Sequence, residues 1–333
     1  MSAVDIRPAP AAPRGRQAIV PWLRGDGFFR LLVTACASLV LLLIAGMVAF
    51  LLVQGLDAMR HYGFFSFLTS TRWAPSEADP SQTSPNPYGI LQFIYGTLIT
   101  SLIGMLIAVP IAVSVALFIT NFAPARVRRP LSSLVDLLAA VPSVVYGFWG
   151  IFALLPALKP VGNFLAGTLG KIPGVGVIFS GPFFGYSYFA AGIVLAIMVL
   201  PIITAVCREI FQTTPLAWKE GAVALGATRW EMVKVAVLKP SRGGIMGASI
   251  LGLGRALGET IAVTMVIGNF VLGINKSVLS QGATMSSVIA NEFTEATEPF
   301  HLSALFVVGF WLLVVALIVN VIARRIVNAQ AAL

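Results

Sequence analysis

The chain has 333 residues, of which 58% are hydrophobic and only 11% are charged, and its mean hydropathy is +0.91. A soluble domain of this length carries far more surface charge, so the composition excludes an ordinary soluble protein and indicates a membrane protein. The net charge of +9 comes from basic residues that are divided among the ends of apolar runs. This distribution gives no support to nucleic-acid binding.

Residues 1–30 are basic and proline-rich and are expected to form a cytoplasmic tail. The apolar run that follows is too long for a signal-peptide core and has no clear Ala-x-Ala site after it, so we interpret it as a retained first span. Six apolar runs are long enough to cross a hydrocarbon core of about 30 Å as helices: residues 31–53, 93–119, 131–156, 186–207, 244–272 and 302–322. The sequence predicts an all-α membrane protein with a transmembrane domain over 31–325 and a short cytoplasmic tail over 326–333.

The lysines and arginines predict the orientation of these spans. Sixteen of them lie in the two termini and in the second and fourth links between spans, whereas only five lie in the alternate loops. Cytoplasmic loops carry the excess of basic residues, so both termini and the long link over 208–242 are expected to face the cytoplasm.

The cytoplasmic link 208–242 has the sequence signals of two short helices. Gly226 is expected to end the first, in a left-handed conformation, and Thr228 with Glu231 forms a capping box for the second. Such a rigid segment has two interpretations: a docking surface for a soluble partner, or a compact loop that folds against its own helix ends. Its apolar side chains exceed those of an ordinary loop: Leu216, Trp218, Val223, Leu225 and Trp230.

Arg255 and Glu259 are the only charged residues between Arg242 and Lys276, and they lie in the middle of the fifth apolar run. A charge at mid-membrane costs at least about 2.5–3.5 kcal/mol, so a polar route for an ion is the first explanation. On one continuous helix, residues four apart share a face and can neutralise each other. The planar donors of arginine suit phosphate oxygens. The alternative is a salt bridge that only fixes helices together.

Further polar residues in the spans are candidates for the same pathway, although each is more often a packing or backbone-satisfying residue. Pro142 is expected to kink the third span. Asp136 is expected to pair with the basic cluster around Arg129, at the membrane interface. The complete set of candidate pathway residues is Arg255, Glu259, Thr260, Thr264, Ser143 and Tyr146.

The side-chain inventory argues against an enzyme. The two histidines, His61 and His301, lack metal-ligand spacing. A Gly-Lys pair at residues 170–171 lacks the first glycine and the Ser/Thr of a phosphate loop, so we expect no ATP hydrolysis, no metal site and no bound cofactor. The alternatives that stay open are a secondary anion transporter or channel and a membrane anchor for a signalling complex; no internal repeat supports the first.

The link 208–242 resembles the EAA loop of binding-protein-dependent ABC importer permeases, with Gly221 in place of the usual first alanine and Lys239 inserted before Pro240. Stretches at 254–269, 141–147, 95–98, 70–73 and 88–89 resemble phosphate-importer permeases of the PstC type. The resemblance covers roughly residues 28–325. It implies a type I ABC importer permease fold in the bacterial inner membrane and a phosphate permease, with a permease for another oxyanion as the alternative. It also implies an ATPase-coupling set: Glu220, Gly221, Ala222, Gly226, Thr228 and Arg229.

The resemblance also implies the partners of the chain. They are a homologous second permease subunit, two copies of an ABC ATPase, an extracytoplasmic phosphate-binding protein and the surrounding membrane lipid. ATP and magnesium would then be bound by the ATPase and not by this chain. No nucleic acid is expected among the partners.

Overall fold

The structure is a computed structural model, and it describes residues 23–77 and 86–331. Within these ranges the chain is almost entirely helical and contains only two isolated β-bridges. The chain divides after Phe50 into two compact units, and every site discussed lies in the unit that begins at Leu51. The fold is therefore all-α over the part of the chain that the structure describes.

The helices, numbered in chain order, alternate between long apolar segments and short connecting ones. Three short π-helical segments follow helices directly, at Phe118–Phe122, Gly150–Leu154 and Val233–Leu238. The helices are α1 (Leu23–Tyr62), α2 (Ser66–Thr69), α3 (Leu91–Leu117), α4 (Ala125–Ala140), α5 (Ser143–Trp149), α6 (Leu155–Thr168), α7 (Tyr188–Gln212), α8 (Leu216–Ala224), α9 (Arg229–Met232), α10 (Arg242–Gly258), α11 (Ile261–Ile267), α12 (Met285–Glu292) and α13 (Pro299–Ala331).

Five helical segments of the described chain are long and apolar enough to cross a membrane. Four of them contain the greater part of a span that the sequence predicts: Gly27–Tyr62, Leu91–Phe122, Tyr188–Gln212 and Pro299–Val327. The fifth is Ser143–Lys171, and α10 with α11 counts as a sixth only if this bent pair is one span. The protein is a multi-pass membrane protein, and the count of six stays a prediction.

The sequence predicts one helix over residues 131–156. The third apolar run is instead divided into separate helices. It is divided at Val141 and Pro142, which both have extended backbone, and the candidate span begins at Ser143. A residue before proline is forced out of the helical region by the proline ring, so the proline breaks the run where only a kink is expected. The preceding helix α4 carries three arginines and one aspartate and is too polar to cross a membrane.

The fifth apolar run also differs from the single helix predicted over 244–272. α10 ends at Gly258, α11 begins at Ile261, and the two helices are bent by 63°. α11 then ends at Ile267, where Gly268 (φ 95°) and Asn269 (φ 50°) take left-handed conformations. This run therefore forms a broken helix.

The long helices pack around α7, which contacts α3 on one side and α10 and α4 on others. Small side chains such as Ala108, Ala112 and Ala248 are fully buried between α3, α7 and α10, and they let these helices approach closely. At one end of this bundle, Arg208 of α7 lies 3.3 Å from Asp136 of α4. The expected pairing of Asp136 with the Arg129 cluster is therefore wrong, because the partner comes from a neighbouring helix.

Candidate functional site

The break between α10 and α11 is held open by a hydrogen bond from a third element. Glu259 has extended backbone (ψ 130°), so its carbonyl group leaves the helical ladder. The hydroxyl of Ser286, near the start of α12, donates to that carbonyl oxygen over 2.8 Å. Ser286 itself is buried. Non-helical backbone is tolerated at membrane depth only where protein or a water-filled cavity satisfies it, and Ser286 supplies this partner.

This geometry corrects the predicted relation between Arg255 and Glu259. Because Glu259 lies outside α10, the two side chains do not occupy adjacent turns of one helix face. Within the described chain, neither residue forms an ion pair. Arg255 is exposed, and Glu259 is partly exposed. The pair is therefore not a salt bridge that fixes two helices together, and Arg255 is available to an anion.

The structure brings some of the other pathway candidates to the same break. Tyr146 lies in α5, and its hydroxyl donates to the Leu138 carbonyl over 2.9 Å. Its neighbour Gly147 lies directly against Met265 of α11, and a side chain there would overlap the methionine sulfur. Ser143 starts the same short helix, three residues before Tyr146.

The two candidate threonines have different positions. Thr260 lies within the break, and its hydroxyl donates to the Gly258 carbonyl over 3.3 Å. Thr264 lies one turn further along α11, where its hydroxyl donates to the Thr260 carbonyl over 2.8 Å. The Thr264 hydroxyl proton is therefore used by a backbone carbonyl, and it is not free for a ligand while that bond is formed.

Arg255 lines a cavity of about 670 Å³ between α7, α10 and α13. The polar side chains that share this lining are Asn320 and Arg324 of α13, and the rest of the lining consists of apolar residues and Gly254. A Cβ atom added at Gly254 would lie 3.9 Å from the Asn320 side-chain oxygen. Measured along α10 from Arg242, Arg255 is about 20 Å from the helix start.

Asn320, Arg324 and Ser286 are functional candidates that the sequence analysis missed. Asn320 is the only amide in the last apolar run, so the sequence alone could have indicated it as a functional candidate. Arg324 was counted with the cytoplasmic end of the last span. Ser286 gave no signal, because it is 27 residues from the carbonyl that it satisfies.

The predicted coupling segment forms a compact pair of helices outside the candidate spans, and we call residues 213–238 the coupling knob. α8 packs against α9 and the following π-helical segment. Gly226 has φ 87°, as its predicted role at a helix end requires, and the Ala227 N–H donates to the Ala222 carbonyl over 3.1 Å. The predicted capping box is present: the Glu231 N–H donates to the Thr228 hydroxyl and the Thr228 N–H to the Glu231 carboxylate. The Thr228 hydroxyl also donates to the Glu231 carboxylate over 2.7 Å, and this bond, together with the one from the Thr228 N–H, lowers the pKa of Glu231.

The knob exposes apolar side chains, and one lysine connects it to the neighbouring helix end. Leu225 is 91% exposed, and Glu220, Gly221 and Arg229 are also at the surface. The ammonium of Lys219 donates to the Asn121 side-chain oxygen over 3.1 Å, at the end of the segment that follows α3. Burial lowers the pKa of Lys219, and the nearby charge of Arg128 lowers it further. This hydrogen bond therefore connects the knob to the end of the segment that follows α3.

Residues 108–330 match the family described as binding-protein-dependent transport system inner membrane component. The chain belongs to this family. The phosphate transport system permease protein PstC of Xylella fastidiosa (strain 9a5c) is 45% identical over 302 residues, which are 90% of each chain. The PstC protein of Mesorhizobium japonicum is 41% identical over 326 residues, 97% of this chain and 96% of the relative.

Solved structures support the same fold. The fold is similar to that of a bacterial ABC transporter involved in the import of the acidic polysaccharide alginate, with a TM-score of 0.58 and 17% identity. That comparison covers 92% of this chain and 97% of the other. A likeness at this identity concerns the fold alone. Broken helices also occur in secondary transporters, so the break at Glu259 does not separate the two classes of transporter, whereas family membership does.

Proposed function

We propose that the chain is the permease subunit of an ATP-driven importer that moves inorganic phosphate into the cytoplasm. The observation that carries this proposal is Arg255, a guanidinium that forms no ion pair with a described residue and lines a cavity beside a broken helix. A group that stays protonated and offers paired donors suits a phosphate oxyanion, and the membrane makes an idle charge costly. The relatives named as phosphate permeases support phosphate as the anion.

The other candidate side chains lie at the helix break or on α5 beside it, and none of them lines the cavity of Arg255. Glu259 lies at the break with its carboxylate unpaired among the described residues, so it can accept a hydrogen bond from a protonated phosphate. Tyr146 and Ser143 of α5, together with Thr260 and Thr264, form the polar surroundings of that path. Arg255 acts as the positive group, and the others orient the anion that it attracts.

The chain supplies the path, and other subunits supply the energy and the substrate. The partners are a homologous second permease, two copies of an ABC ATPase that bind ATP and magnesium, an outer phosphate-binding protein and the surrounding membrane lipid. The coupling knob, through Glu220, Gly221, Ala222, Gly226, Thr228 and Arg229, docks on the ATPase. Exposed leucine and tryptophan side chains on a rigid, capped segment suit a protein partner better than water. Both termini face the cytoplasm of a bacterium, and the chain binds no nucleic acid.

The test is phosphate uptake by vesicles that contain the full complex, with and without this chain. We expect uptake that requires ATP, the binding protein and this chain together. Uptake that continues without ATP would indicate a channel or a secondary transporter instead. ATP-dependent uptake of another oxyanion, with none of phosphate, would leave the permease assignment intact and refute its substrate.

A further inference from the structure

We propose that Asn320 and Arg324 form a second phosphate contact, one step closer to the cytoplasm than Arg255. We further infer that the Asn320 side-chain oxygen favours an anion that carries a proton. This inference rests on the proposed function and extends it. Neither residue belongs to the pathway set that the sequence suggested, because Arg324 was counted as a charge at the membrane end.

The packing of α13 against α10 places Arg324 on the lining of the Arg255 cavity rather than beyond it. The Asn320 amide lies against Gly254, and Arg324 lines the same cavity as Ile250 and Leu251. The predicted orientation of the spans makes α10 and α13 antiparallel, so one turn further along α13 corresponds to one turn back along α10. The Arg324 level is then about 12 Å from the start of α10, against about 20 Å for Arg255.

Two guanidinium groups in one cavity require an explanation. Arg255 and Arg324 both line it, and neither forms an ion pair with a described residue. Each is costly to hold at this depth, and like charges that share a low-dielectric cavity repel each other. An anion that occupies the cavity would relieve both costs. The arrangement therefore suits a cavity that binds a negatively charged ligand, and it does not suit two arginines that only pack.

The hydrogen bonding of Asn320 distinguishes its side-chain nitrogen from its side-chain oxygen. Its side-chain N–H donates to the Ala316 carbonyl over 2.9 Å, and because a carbonyl only accepts, the nitrogen must be the atom there. The remaining side-chain oxygen has no partner among the described residues. It can accept a hydrogen bond from a protonated phosphate but only repels a fully deprotonated oxyanion such as sulfate. A site built to bind a hydroxyl rejects the analogue that lacks one.

Two contacts separated by about 8 Å along the path also suit transport. An anion held by one deep site leaves slowly, whereas several moderate sites allow entry and exit. Arg255 would receive the anion at the helix break, and Arg324 would draw it on toward the cytoplasm. Asn320 lies one turn before Arg324 on the same helix, so it can contact the anion during this transfer.

The first experiment measures ATP-dependent phosphate uptake by vesicles that contain the complete complex. Arg324→Gln is compared with Arg325→Gln, because Arg325 is an adjacent exposed arginine that does not line the cavity. Loss of a charge-assisted hydrogen bond predicts uptake roughly ten- to hundred-fold slower for Arg324→Gln and near-normal uptake for Arg325→Gln. Arg324→Lys, which keeps the charge but not the paired donors, should lie between them.

Equal uptake by Arg324→Gln and Arg325→Gln would overturn the proposal. A variant complex that fails to assemble would be recognised by loss of the ATPase on purification, and Arg324→Lys then provides the decisive comparison with wild type. The proposed function fails separately, because its failure would show as absent phosphate uptake by the wild-type complex.

The second experiment tests the selective role of Asn320 by titration calorimetry. Phosphate and sulfate are each added to the complex of the two permeases and the ATPase in lipid nanodiscs, without the binding protein. Asn320→Leu should lower phosphate affinity about ten-fold and sulfate affinity less than two-fold. The preference for phosphate over sulfate should therefore become smaller. Asn320→Gln keeps an amide oxygen and should preserve the preference. An equal loss for both anions, or no change for either, would show that Asn320 does not select.

Discussion

Gly226 provides a test of the coupling knob in which the conformational cost can be isolated. Its φ of 87° is left-handed, and a Cβ atom added there would meet nothing within 4 Å. The penalty of Gly226→Ala is therefore a backbone penalty, about 1–2 kcal/mol for a left-handed residue with a side chain. That penalty corresponds to roughly a five- to thirty-fold smaller population of the native turn.

Gly221 is the matched control. It lies within α8, it is exposed, and a Cβ atom there would also meet nothing within 4 Å. Gly221→Ala should stabilise the helix by about 0.5–1 kcal/mol, because alanine loses less backbone entropy than glycine. The same substitution at two open positions five residues apart should thus change the stability of the knob in opposite directions.

Amide hydrogen exchange at Gly226 and Ala227, whose N–H groups close the turn, measures the local effect in the assembled complex. Exchange should be roughly five- to thirty-fold faster in Gly226→Ala and slower in Gly221→Ala. Co-purification of the ATPase, with uptake per ATP hydrolysed, then measures coupling, which should fall in Gly226→Ala. Gly221→Ala should keep coupling although Gly221 belongs to the ATPase-coupling set, because alanine is the usual residue at that position of the EAA loop. If the two variants exchange alike, the backbone argument is wrong. If Gly226→Ala exchanges faster but couples normally, the knob is only a compact loop.

Three further predictions concern the knob and the orientation. Lys219→Met should keep ATPase binding but lower uptake per ATP hydrolysed, since it removes the hydrogen bond between the knob and the end of α3; equal coupling ratios would refute this. The lowered pKa of Glu231 means that its capping box stabilises the knob above the ordinary glutamate pKa of about 4.3 and that this contribution is lost as the pH falls through the lowered value. The protection of the knob amides from hydrogen exchange, corrected for intrinsic rates, should fall over the same pH range. In Thr228→Ala this protection should not depend on pH in that range. A cysteine at Leu225 should react only with reagents admitted to the cytoplasm and one at Thr297 only with external reagents, and reversed labelling would overturn the orientation.

Local sequence signals predicted the features that depend on neighbours along the chain. The turn at Gly226 and the capping box of Thr228 and Glu231 each depend on residues within one turn, and the structure confirms them. Four apolar runs also appear as membrane-length helices, because length and hydropathy are sufficient for that prediction.

The features that the sequence did not predict depend on contacts between distant segments. Gly258 lowers helix propensity at the break by only about 1 kcal/mol, so a continuous helix was the simpler expectation. The hydroxyl that satisfies the Glu259 carbonyl comes from Ser286, on a different helix. The position of Arg324 beside the Arg255 cavity follows from how α13 packs on α10, which no local pattern encodes.

The central claim is that phosphate binds Arg255 on its way across the membrane. The most direct test is phosphate uptake by the assembled complex that carries Arg255→Ala. Cells without other phosphate routes, or vesicles with the full complex, both suit the measurement. We expect assembly and ATPase retention to be normal and phosphate uptake to be abolished, with a smaller loss in Glu259→Gln, which keeps a hydrogen bond. Normal phosphate uptake by Arg255→Ala would contradict the account.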